Sequence, residues 1–217
     1  MRNNKSYAVF GLGRYGIAVA KELVENGMDV IAVDTNQEIV NDAAAFLPVC
    51  KCADITDAEV IDRLGIADVD TVIVCMASNL EASVMAVTLC KEAGVKTVIA
   101  KCGNEMHQKI LLRVGADKVV FPENESGIRL AKNMLSSGFM DMLSLSKEVS
   151  IVEIEIKDEW VGKNLIELNF RKKYRFNIVA IRQNEKVNVA VDPTMPLTKD
   201  MILVVIANTN DLLKFKK

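Results

Sequence analysis

A chain of 217 residues is long for one compact domain and short for two large ones, which favours a domain of about 140 residues followed by a small second module. Half the residues are apolar, enough for a substantial core, and 27 Lys and Arg against 29 Asp and Glu leave a formal charge of −2 with no strongly basic stretch, which excludes nonspecific nucleic-acid binding as the main role. No apolar run approaches the roughly 20 residues that span a bilayer, and MRNNKSYAVFGLG lacks a signal-peptide apolar core, so a cytosolic protein is expected.

From residue 7 to 120, short Val/Ile-rich runs alternate with stretches of helical period: YAVFG, VIAVD, PVCKC, TVIVCM, TVIAK and KVVF. Runs this continuous fit strands buried on both faces, so the pattern predicts a doubly wound α/β domain, a parallel sheet with helices on each side. The first run enters Gly11-x-Gly13-x-x-Gly16. In such a strand-loop-helix turn the first glycine permits the tight turn and the second lets backbone approach phosphates. The third lets helix pack close to strand, with the helix N-terminal amides facing the anion. The helix over 15–26 turns Ile17, Val19, Ala20, Leu23 and Val24 to the sheet and stops at Gly27 in a left-handed cap.

Asp34 closes VIAVD, where a carboxylate accepts from a ribose hydroxyl. Its charge disfavours a 2′-phosphate and hence NADP; NAD(H), ATP and ADP remain. Arg14, inside the loop, can fold a guanidinium over the phosphates and add a charge-assisted contact to a terminal one; a solvated arginine at a helix start is the alternative. The cysteines, Cys50, Cys52, Cys75, Cys90 and Cys102, are odd in number without a CxxC pair and are expected as buried free thiols.

Residues 124–142 read as a further helix with Ile128, Ala131, Met134 and Leu135 on one side. The Met-rich continuation GFMDMLSLS is too apolar for a simple linker and is expected to pack on the first domain or a second subunit. From about residue 150 the period changes: SIVEIEI alternates as a half-exposed strand, a helix covers 164–174, and NIVAIRQ, KVNVAVDP and DMILVVIA follow as strands. This is a small α+β module with its own sheet.

A hydride-transfer enzyme needs an acid or base beside its substrate. The single histidine, His107, falls on an amphipathic helix where a surface or packing role outweighs catalysis, and no Tyr-x-x-x-Lys pair, metal set or nucleophile elbow occurs. Binding without turnover is the simpler reading; a small NAD-dependent oxidoreductase is the alternative.

In order, AVFGLGRYGIAVAKEL, VIAVDTN, ADITD, TVIVCMASN, VIAKCGNEMHQKILLRVGADKVVFPE and LNFRKKYRFNIVAI resemble the cytosolic regulatory subunits of Ktr/Trk-type potassium-uptake systems, from about residue 7 to 206. That family joins an N-terminal and a C-terminal RCK (regulator of potassium conductance) domain. The resemblance implies a Rossmann-like nucleotide domain over 1–123, a crossover helix and linker over 124–146, and an RCK C-terminal α+β domain over 147–217. It further implies dimers assembled into an octameric ring on a membrane potassium-transporting subunit, at the inner face of the membrane, with ATP and ADP favouring different ring shapes that gate ion flux.

Carried over by motif, the resemblance puts Gly11, Gly13 and Gly16 at the nucleotide's phosphates, Tyr15 among the nucleotide contacts, Asp34 at the ribose, Asp54 and Ile55 at the adenine edge, and Arg14 at a γ-phosphate of the same or a neighbouring subunit. Lys101 falls near the phosphates and Asn79 among the nucleotide contacts, after a Met76-Ala77-Ser78 turn where relatives often carry a smaller one. Glu123 matches a position that contributes to a cation site between two nucleotides. Mg²⁺ or Ca²⁺ suits oxygen ligands there, and a carboxylate that merely opens a helix is the alternative. In the second module, Arg171, Asn177, Ile178 and Pro193 match positions that bind cyclic di-AMP in some relatives.

Overall fold

The computed structural model describes residues 5–135, 142–146 and 148–215. The chain divides into two compact units, Met1–Glu123 and Asn124–Lys217.

In the first unit six strands, β1 (Ser6–Phe10), β2 (Asp29–Asp34), β3 (Cys50–Cys52), β4 (Thr71–Val74), β5 (Thr97–Lys101) and β6 (Lys118–Val120), form a sheet of order β3-β2-β1-β4-β5-β6. All five pairings are parallel, with Phe10 opposite Val33 on one side and Val74 on the other. Five helices join the strands: α1 (Arg14–Glu25), α2 (Gln37–Ala43), α3 (Ala58–Arg63), α4 (Leu80–Glu92) and α5 (Glu105–Arg113). Successive side chains of a strand point to opposite faces. Ala8 and Phe10 therefore join Val72, Val74 and Val98 in one core, while Val9 joins Ala20, Val30, Ala32 and Ile73 in another. Both faces are covered, which is why the strands read as unbroken apolar runs. The strand order reverses between β1 and β4, and that is where the carboxyl ends of an open parallel sheet leave a crevice.

The helix starts differ. Asn36, Asp57, Asn79 and Asn104 cap α2, α3, α4 and α5 by accepting from backbone N–H groups. α1 opens on Gly13 with no side-chain cap and no acidic residue in its first turn. It ends as the sequence predicts, with Gly27 at φ 77°.

α6 (Pro122–Leu135) leads from the first unit into the second, where β7 (Met142–Ser144), β8 (Val149–Glu155), β9 (Asn177–Gln183), β10 (Lys186–Asn188) and β11 (Met201–Asn208) form an antiparallel sheet of order β10-β9-β11-β8-β7. Around it lie α7 (Leu165–Leu168), α8 (Phe170–Lys173) and α9 (Thr209–Phe215). Trp160, 1% exposed, meets Phe170 edge to face with centroids 4.8 Å apart, and Phe176, Tyr174 and Phe215 extend the aromatic core.

Several expectations need correction. The helix predicted over 124–142 starts at Pro122 and is described as far as Leu135. Residues 136–141 lie outside the described ones, and Met142 begins β7, whose backbone pairs with β8; this part of the apolar segment is an edge strand of the second sheet. The helix predicted over 164–174 is two helices. The capping box of Asn164 and Glu167 starts α7, and Asn169, left-handed at φ 46°, ends it before α8 begins; asparagine tolerates that conformation better than most residues. KVNVAVDP is a strand only over Lys186–Asn188. Of the thiols, Cys90 and Cys102 are buried, but Cys50 and Cys75 are half-buried and Cys52 is exposed. Cys50 and Cys52 lie on the sheet's edge strand, where cover is thinnest.

Candidate functional site

The glycine turn is built by contacts that side chains would spoil. Gly11 has φ 87°, and its N–H donates to the Val33 carbonyl at 2.8 Å. A Cβ on Gly16 would stand 1.9 Å from the Gly11 carbonyl oxygen, so only glycine lets α1 close onto the loop. A Cβ on Gly13 would meet nothing within 4 Å, which leaves open approach to backbone at the uncapped start of α1. There the first-turn amides and the helix dipole favour an anion. Asp34 holds the loop in place: its Oδ2 accepts from Leu12 N–H at 2.6 Å and its Oδ1 from Asn36 N–H at 2.9 Å.

A cavity of about 530 Å³ lies at these strand ends, lined by Gly11, Asp34, Asp54, Ile55 and Asn79 among others. The Thr56 N–H, first, and the Thr56 hydroxyl hold the Asp54 carboxyl below the usual carboxylate range, donating to Oδ1 at 3.0 and 2.7 Å. Asp54 is therefore an anionic acceptor of set orientation, suited to an exocyclic amine. Asn79 spends its side-chain oxygen on Ala82 N–H at 3.0 Å. Thr35, Ser78, Glu81 and Met85 also line the cavity, and the sequence did not single them out as contacts. Glu81 reads there as an ordinary acidic residue in a helix's first turn, and only the fold brings it to the cavity that Asp34 and Asp54 also line.

Gly13, Arg14, Tyr15, Gly16, Lys101 and Glu123 do not line this cavity. Arg14 is exposed at the start of α1. Lys101, at the end of β5, donates from Nζ to Glu123 Oε1 at 2.6 Å and lies 5.5 Å from the Tyr15 ring centroid. That hydrogen bond holds the Glu123 carboxyl below its ordinary range. Burial pushes the neighbouring Cys75 thiol up to about 12, with Lys101 opposing. Among the described residues no three His, Cys, Asp or Glu side chains gather to hold a metal. His107 is half-buried in α5, where its N–H serves the Asn104 cap at 2.8 Å.

In the second unit a cavity of about 350 Å³ brings together Arg171, Asn177 and Ile178, walled by Leu165, Phe170 and Phe176. Pro193 does not line it. Its carbonyl accepts from the N–H groups of Leu165 at 3.1 Å and Ile166 at 3.4 Å, behind the start of α7.

Comparison with known proteins agrees with both units. The TrkA-N domain model matches residues 7–122 and the TrkA-C domain model residues 149–217. The chain belongs to the TrkA-N/TrkA-C family. Among its TrkA-type relatives, Ktr system potassium uptake protein C of Bacillus subtilis (strain 168) is 38% identical over 213 residues, 98% of this chain and 96% of the relative. Ktr system potassium uptake protein A of the same organism is 33% identical over 213 residues, with the same two coverages. A TrkA-type fold also appears in the GsuK channel, at TM-score 0.70 and 16% identity over 99% of this chain, and in the GsuK channel bound to NAD, at TM-score 0.64 and 16% identity over 97%. The chain spans 39% and 38% of those channel chains. Among the described residues of this TrkA-type chain, no helix is long and apolar enough to cross a membrane.

Proposed function

We propose that the chain is a nucleotide-sensing regulatory subunit of a potassium transporter, a binding protein and not an enzyme. It would act in the cytosol, held at the inner face of the membrane through its transporter partner. The observation that carries this reading is 38% identity along 98% of the chain to a Ktr system potassium uptake protein. The cavity beside the glycine turn supplies the ligand chemistry. ATP and ADP are the proposed ligands, with adenine at Asp54 and Ile55, ribose at Asp34 and phosphates on the bare start of α1. NAD(H) is the competing ligand, because Asp34 would serve its adenosine ribose equally well.

Dimers assembled into an octameric ring are the proposed state. Arg14, exposed on α1, would then reach a γ-phosphate of its own or a neighbouring subunit and give ATP and ADP different affinities for two ring shapes, which is what shifting their balance requires. A Mg²⁺ or Ca²⁺ ion at Glu123 would take its other ligands from phosphate oxygens and a second chain. In the second unit, Arg171 and Asn177 suit the phosphate and base edge of cyclic di-AMP, with Ile178 as apolar wall and Pro193 supporting α7 from behind.

Small-angle scattering with ATP and with ADP tests the reading. Two distinct profiles are expected, and Arg14→Ala should bring them together; identical profiles for the unaltered protein refute it. Turnover of a small substrate with NADH would favour the oxidoreductase instead.

A further inference from the structure

Lys101 is held by partners from two elements, Glu123 Oε1 in the first turn of α6 and the Tyr15 ring in the first turn of α1. The side chains are unequally solvated: Lys101 is 14% exposed and Glu123 63%. Neither lines the cavity that contains Asp34 and Asp54. Lys101 stands beside the glycine turn, 5.5 Å from the ring of Tyr15 within it and close enough to the Cys75 thiol to act on its ionisation, and the Cys75 Cβ is 3.4 Å from where a Gly16 Cβ would be. An ammonium so far withdrawn from water needs a counter-ion, and Glu123 supplies it.

Resting on the nucleotide reading above, we propose that Glu123 is a specificity-determining residue: a resident counter-ion that a ligand's outer phosphate must displace from Lys101, so that the site selects nucleotides by phosphate number. The exchange is favourable on electrostatic grounds. A mostly exposed carboxylate gains little from an ion pair because water solvates it nearly as well. A terminal phosphate brings up to two charges and three acceptor oxygens to the same ammonium. A ligand that ends within the cavity, such as adenosine or AMP, leaves the Lys101–Glu123 pair intact. One whose phosphates run past Gly13 along the start of α1 reaches Lys101 and frees Glu123. The freed carboxylate remains at the N-terminal end of α6, where the helix dipole favours it.

The test is calorimetric titration of the full-length protein in EDTA with adenosine, AMP, ADP and ATP. Glu123→Gln removes the competitor and should bind ATP roughly five- to tenfold more tightly, with adenosine and AMP within about twofold of wild type. Lys101→Met should weaken ATP binding by about tenfold or more and cancel the gain when combined with Glu123→Gln. Unchanged or weaker ATP binding by Glu123→Gln overturns the proposal, as does a gain that persists with Lys101→Met, which would be plain charge repulsion. If Lys101→Met fails to fold, the ¹³C carboxylate resonance of Glu123, assigned by its loss in Glu123→Gln, decides. It should move toward that of a free glutamate with ATP and stay in place with AMP; equal responses overturn the proposal. If the wild type binds none of the four ligands, the nucleotide reading itself fails and this proposal with it.

Discussion

Gly16→Ala probes the closure of α1 on its loop. The new Cβ would stand 1.9 Å from the Gly11 carbonyl oxygen and 3.1 Å from its carbonyl carbon, where contacts under 3.0 Å are essentially never seen. Gly11 cannot retreat, because its φ of 87° and its bond to the Val33 carbonyl tie it to β2. α1 must shift outward by about 1 Å, loosening the packing of Ala20; overpacking costs ~1–3 kcal/mol, and backbone on both sides of the clash places this case at the upper end. Gly13→Ala is the matched control. Its φ of −65° is ordinary and its Cβ meets nothing, so stability should stay within about 0.5 kcal/mol. Nucleotide affinity should fall by about tenfold or more as the phosphate loses its approach. The assay is urea unfolding read by amide exchange in β1 and β4, since the single tryptophan, Trp160, reports the second unit. A Gly16→Ala protein with the wild-type midpoint would refute the reasoning, because the loop would then have slack that its geometry denies.

Asp34→Asn should weaken adenine-nucleotide binding and narrow the preference for NAD(H) over NADP(H), since a neutral side chain no longer repels a 2′-phosphate; an unchanged preference in competition binding counts against the assignment. The Val98 N–H, first, and Lys91 hold the Asp117 carboxyl below its ordinary range. Its folded value is lower than the unfolded value of about 3.9, so it contributes stability that is present above that value and lost as pH falls through the folded one. Asp117→Asn should therefore flatten the acid limb of unfolding midpoints measured from about pH 6 to 2, whereas curves parallel to wild type contradict this. Asn169→Val should destabilise the second unit by ~1–2 kcal/mol and Asn169→Gly by far less, as Trp160 fluorescence during unfolding can show. Arg171→Ala should weaken cyclic di-AMP binding by about tenfold or more in calorimetry without changing ATP binding.

The first unit was legible because its central strands are buried on both faces and its turn chemistry is local: Gly11, Gly16 and Gly27 each declare a backbone requirement within a few residues. The second unit was less so. Its sheet is antiparallel and its edge strands β7 and β10 are three residues each, too short for periodicity to reveal. The break at Asn169 depends on one left-handed residue that a helical pattern overrides. In the site, Asp34 announced itself at the end of an apolar run, whereas Asp54 was reached only through the family resemblance. Glu81 and Met85 did not, because what brings them to the cavity is the packing of α4 beside β4. The Lys101–Glu123 contact joins residues 22 apart through β5 and β6 pairing, and no local pattern encodes it.

Because no side chain caps the start of α1, its junction with the glycine turn is a joint that an anion from solution can complete. Whatever anion completes it adds stability by mass action, about 2.7 kcal/mol at one hundred times its dissociation constant. A cell whose pool of that anion collapses would leave this joint loose, and opening, proteolysis and turnover would start at the glycine turn. The lifetime of the sensor would then follow the same equilibrium as its signal.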